Sequence, residues 1–115
     1  SEYNQDQVCR FKQKFDSTKH ALGVIITNYY PDAKFYTKKD RGISSRTKDL
    51  TNVEKTIVDL IFDPKYGKRE MPEGCPNLGL NDKLIVDLNS FKRPYNEESE
   101  TTVIDIYLKP KDDLK

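Results

Sequence analysis

Tryptophan is absent from this chain, and in 115 residues there are one histidine, one methionine and two cysteines. The lone His20 excludes His-rich metal sites and any mechanism that relays protons between two imidazoles. No H-E-x-x-H, Walker A or G-x-G-x-x-G run occurs, which removes zincin and simple phosphate-loop readings. Cys9 and Cys75 form no C-x-x-C, so zinc-ribbon and thioredoxin-type sites go as well. No apolar run approaches about 18 residues, so no segment reads as a membrane-spanning helix. The sequence expects neither a metal nor a cofactor.

Charge of one sign is also missing. Lys and Arg total 20, Asp and Glu 19, for a net charge of +1. The charged share is 34% and the hydrophobic share 35%, the pattern of a thin-cored, heavily charged single domain spanning residues 1–115. The balance is an average. Residues 34–48 hold six bases (Lys34, Lys38, Lys39, Arg41, Arg46, Lys48) against Asp40 alone, while residues 49–115 hold ten bases and fourteen acids. Tyr36 and its aromatic neighbours interleave with those bases. Cations hold phosphates and aromatic rings stack on bases, so Lys34, Tyr36, Lys38, Lys39, Arg41, Arg46 and Lys48 form the candidate binding set. A solvated loop beside core aromatics is the plainer alternative.

Two cysteines 66 positions apart in a small polar domain read as one disulfide, Cys9–Cys75, of a secreted protein. Closing that loop stabilises by about 4 kcal/mol in the chain-entropy picture. Two unrelated thiols are the alternative. Ser1–Phe11 is polar and offers no signal peptide, so a secreted protein is expected in mature form here.

Asp16-Ser17-Thr18 offers helix-capping chemistry, and Leu22, Ile25, Ile26 and Tyr29 follow at helical spacing. These favour a helix over Ser17–Tyr29, although Gly23–Tyr30 is also rich in β-branched residues. Lys34–Thr37 reads as a short strand and Asp40–Gly42 as a turn. Thr51-Asn-Val-Glu54 fits a capping box for a helix over Asn52–Phe62. Lys83–Asn89 and Thr101–Leu108 read as two strands paired antiparallel. In the second, Thr102, Ile104, Ile106 and Leu108 form the inward face. The fold class is α+β, a small antiparallel sheet packed against one or two helices.

Catalytic candidates do not assemble. His20 reads as a surface histidine beside Lys19. Glu97-Glu98 and Asp112-Asp113 read as solvated pairs, and Asp87 and Asp105 are expected to face water. The spacing of Asp82, Asp87 and Asn89 matches no calcium loop.

Two layouts resemble known families. Cys9, the segment Ser17–Asn28, Tyr30-Pro31, Phe35, Gly42-Ile43 and the two late strands resemble the secreted RNase-like effectors of fungal plant pathogens. That resemblance implies a microbial-ribonuclease-like fold with a helix over residues 17–29. One histidine cannot supply the catalytic set of active members, so it implies a non-catalytic relative acting on a host protein, such as an immune receptor, or on RNA. Tyr29-Tyr-Pro-Asp32, Leu60-Ile-Phe-Asp-Pro64, Met71-Pro-Glu-Gly74 and Val86-Asp-Leu-Asn-Ser-Phe91 resemble, in the same order, the GerMN domain of bacterial sporulation proteins and lipoproteins. That resemblance implies a strand over residues 17–29 and an extracytoplasmic protein–protein interaction module. Both imply an extracytoplasmic, non-enzymatic chain, and a monomer is expected.

Overall fold

The stretch from His20 to Pro31 is a strand, not a helix. In the computed structural model, which describes residues 5–62 and 78–115, it is β1 (His20–Pro31) and the central strand of the sheet. The physical reason is a two-residue period on the core side. Leu22, Val24, Ile26, Asn28 and Tyr30 are buried while Ile25, Thr27 and Tyr29 between them are only half-buried, the pattern of a strand with one face on the core and not of a helix. The expected cap serves a turn instead. The Asp16 carboxylate accepts from the Thr18 backbone N–H (2.9 Å) and hydroxyl (2.7 Å). The Asp16 carbonyl accepts from Lys19 and His20 as the chain enters β1. The Thr18 hydroxyl and then the Thr18 backbone N–H hold the Asp16 carboxyl below its ordinary pKa.

Helix α1 (Gln5–Lys14) precedes β1, and the short α2 (Asp32–Phe35) follows it directly. Helix α3 (Leu50–Phe62) lies where spacing placed one, although it begins two residues before the expected Asn52. Thr51 and Glu54 do not form the expected box. Glu54 instead accepts from the Ser90 hydroxyl on the sheet. The Cys9–Cys75 expectation falls outside the described residues, which include neither Cys75 nor the Cys9 side chain.

Strands β2 (Ile85–Tyr95) and β3 (Thr101–Pro110) do not pair with each other. Each lies on one side of β1, giving the order β2-β1-β3. β2 runs parallel to β1 and β3 antiparallel, so the sheet is mixed rather than antiparallel. The reason is again β1: once it is extended and apolar on one face, it is the best partner for both later strands. β2 also runs on past Asn89 to Tyr95 and carries Pro94, which an edge strand tolerates. The five residues 96–100 cross the end of β1, where the rings of Tyr29 and Tyr95 lie 5.3 Å apart. The fold is α+β.

The core lies on the helix side of the sheet. Leu22, Val24 and Ile26 are at most 1% exposed and cluster with Ile61 and Phe62 of α3 and with Leu78. Val8 and Phe11 of α1 and Ile104, Ile106 and Leu108 of β3 close around them, the last three as alternation in β3 predicts. The other face is turned to solvent. There Gly23 is fixed by a close approach, because a Cβ at this position would lie 2.1 Å from Cζ of Tyr107. The small Ala21 and Gly23 also leave room for Lys109 to reach across β1 to Asp87, 3.2 Å away. That contact raises the Lys109 pKa, first through the hydrogen bond and then through the charge of Asp87.

Candidate binding cleft

The helix side of the sheet changes character along β1. From Leu22 to Ile26 every inward residue is apolar. Ser90 stands beside Ile26 at the boundary, and from Asn28 onward the inward positions on the three strands are Asn28, Tyr30, Lys92, Thr102 and the apolar Pro94. Buried polar groups are costly unless bonded, and each of these has a partner. Asn28 is only 6% exposed; its Nδ2 donates to the Phe91 carbonyl (3.4 Å) and its Oδ1 accepts from the Thr102 hydroxyl (3.0 Å). One side chain of the central strand thereby ties both edge strands. The Tyr30 hydroxyl accepts from the Lys48 backbone N–H (3.1 Å), and the Lys92 ammonium donates to Thr47 (2.9 Å).

Over this polar end, α3 and the sheet do not close. They leave a cleft of about 420 Å3 lined by Asn28, Tyr30, Lys48, Asn52, Thr56 and Thr102, with Val53 and Ile57 as its apolar wall. Its size lies within the range of small-ligand and peptide side-chain pockets. Lys48, Asp49 and Glu100 stand at its mouth. The chemistry on offer is amide, hydroxyl and exposed charge, which suits recognition by hydrogen bonds. The only imidazole sits at the opposite end of β1. His20 is half-buried there rather than on the surface, accepting at Nδ1 from the Asp16 backbone N–H (3.1 Å). Among the described residues no three His, Cys, Asp or Glu side chains gather in a way that would hold a metal ion.

The candidate basic set leads up to this cleft but is not one surface. Residues 36–43 form a tight loop closed by a bridge between Tyr36 and Ile43. Asp40 organises it, accepting from the Thr37 hydroxyl and from the Gly42 backbone N–H (3.1 Å). Those bonds, the Thr37 hydroxyl first, depress the Asp40 pKa. Arg41 takes a left-handed φ of 58° and lays its guanidinium over the Tyr36 ring, 4.2 Å from its centre. Tyr36 is therefore covered on one side by Arg41 and touched edge-on by Phe35. Lys34 is paired with Glu100, and Arg46 donates to the Ala33 carbonyl. Lys38, Lys39 and Lys48 remain exposed, and among the described residues none of the three forms an ion pair.

Sequence reading did not find Asn28, Tyr30, Asn52, Thr56 and Thr102. The available signal was the break in apolar character at Asn28 after Leu22, Val24 and Ile26. It reads as a site only once the segment is known to be a strand. Comparison with family models, with curated proteins and with solved structures returns no match.

Proposed function

We propose that the chain is a non-catalytic, extracytoplasmic binding domain that recognises a protein partner through the cleft at the polar end of its sheet. The observation that carries this reading is the cleft itself: a fold with a thin core keeps Asn28, Tyr30 and Thr102 beneath an opening that apolar side chains would otherwise fill. Polar recognition chemistry without an imidazole or a nucleophile–base pair suits binding rather than turnover. Of the two family resemblances, the strand over residues 20–31 favours the GerMN-like interaction module. The RNase-like effector layout required a helix there. RNA is the second reading, supported by exposed Lys38, Lys39 and Lys48 on the segment that leads to the cleft mouth.

The test is photo-crosslinking in the source cell from a reactive side chain placed at Asn52, with Lys115 in the exposed tail as control. A saturable protein adduct formed from Asn52 alone is the expected result. An adduct destroyed by ribonuclease moves the reading to RNA, and affinity for RNA then falls steeply with salt as phosphate contacts require. Absence of any saturable adduct overturns both.

A further inference from the structure

The outer edge of β2 is one of the two edges of the sheet. β2 has eleven residues and bonds to β1 on one side, and among the described residues no strand pairs with its other side. Among the described residues, three of the six exposed large apolar ones, Val86, Leu88 and Phe91, belong to this one strand. Long edges with exposed apolar side chains are templates for another strand.

The order of charges along β2 selects the partner. We infer that the β2 edge pairs antiparallel with β2 of a second copy, about a two-fold axis at Ser90. In that register residue i faces residue 180 − i of the other copy, and facing residues share a side of the sheet. Asp87, which also holds Lys109 of its own chain across β1, then stands opposite Arg93, and Arg93 opposite Asp87, both on the solvent side with Gly23 and Tyr29 of β1. Phe91 lies against Asn89, and Leu88 lies along the stem of Lys92. From Asp87 to Arg93 every residue finds a counterpart on its own side of the sheet, short of the register shift that β2 carries at Val86, and two three-stranded sheets become one of six. The β3 edge lacks this fit: centred in the same way on Asp105, it sets two carboxylates against each other. Backbone hydrogen bonds and cover for Val86, Leu88 and Phe91 provide the affinity, while the exposed charge pairs set the register. The monomer expected from sequence is thus one half of the assembly.

Sedimentation of the full chain tests this directly. The expected result is a concentration-dependent species of twice the 13.4 kDa chain mass. Arg93→Asp and Asp87→Lys each set like charges opposite at two places per dimer. Each alone should weaken self-association about tenfold, with circular dichroism of Arg93→Asp unchanged from the parent; Lys109→Ala, which removes the contact that Asp87→Lys also loses, should still self-associate like the parent. Mixed in equal amounts, Arg93→Asp and Asp87→Lys should associate again, because each then presents the charge the other needs. A parent chain that stays monomeric to millimolar concentration overturns the inference. So does a dimer indifferent to Arg93→Asp, or a mixture that does not recover.

Discussion

The two ends of one sheet face are built from different materials. At the His20 end, Leu22, Val24 and Ile26 meet Phe62 and Ile61 with no polar atom between them. At the Pro31 end, Asn28, Ser90, Lys92 and Thr102 are each matched to a single hydrogen-bond partner or two. Apolar contacts are non-directional and tolerate reshaping, whereas a bonded polar group fixes direction and charges a penalty when its partner leaves. The first end holds the chain folded. The second end specifies where three strands and a loop sit relative to one another, and it is the end that remains open.

Substitutions can break this comparison or sharpen it. The largest effect is expected at Ile26→Ala, which removes a fully buried side chain from the apolar end and should cost about 2–5 kcal/mol in urea unfolding. Gly23→Ala comes next. It forces the Tyr107 ring off the sheet at about 1–3 kcal/mol, and pairing it with Tyr107→Ala should make the added methyl nearly harmless. Asn28→Ala strands the Thr102 hydroxyl and should cost about 1–2 kcal/mol. Replacing Asn28 and Thr102 together by Val should instead leave stability near the parent's while abolishing the Asn52 crosslink. If the double variant is as unstable as Ile26→Ala, the polar end is core and the comparison fails.

The smallest effect concerns acid. Asp16 and Asp40 have carboxyls held below their ordinary 3.8 by hydrogen bonds that exist only in the folded chain. Their contribution is complete above that ordinary value and is lost as pH falls through the lowered folded one. Asp40→Asn should therefore lower stability slightly at neutral pH, where that contribution is complete, and leave it unchanged in acid below the lowered folded value, so that the acid limb of the profile flattens.

Legibility in the sequence followed exposure. β3 is half-exposed, so Ile104, Ile106 and Leu108 announced both the strand and its inward face. α3 is amphipathic, and its apolar spacing located it to within two residues. β1 was illegible because Ile25 and Tyr29 put apolar side chains on the solvent side as well, which masks the alternation, and Leu22, Ile25, Ile26 and Tyr29 match helical spacing by coincidence. β2 beyond Asn89 was illegible because an edge strand with polar residues inward, Ser90 and Lys92, looks like a loop. The cleft depends on Asn28 and Thr102, 74 positions apart, meeting across strands. No local pattern encodes that. Clustering of bases over residues 34–48 was visible, but the stacking of Arg41 on Tyr36 and the pairing of Lys34 with Glu100 were not.

The strand order has a consequence for how the chain is made. The central strand is synthesised first, and both of its neighbours come from the last third of the sequence. At roughly 5–20 residues per second, the most apolar segment waits about 3–13 s until β2 is complete and can pair with its first edge. Among the described residues nothing translated before residue 85 pairs with β1 in that interval. The sheet therefore waits for residues 85–110, and until they emerge the segment before them is one that a translocation pore or a chaperone can handle as a linear polymer.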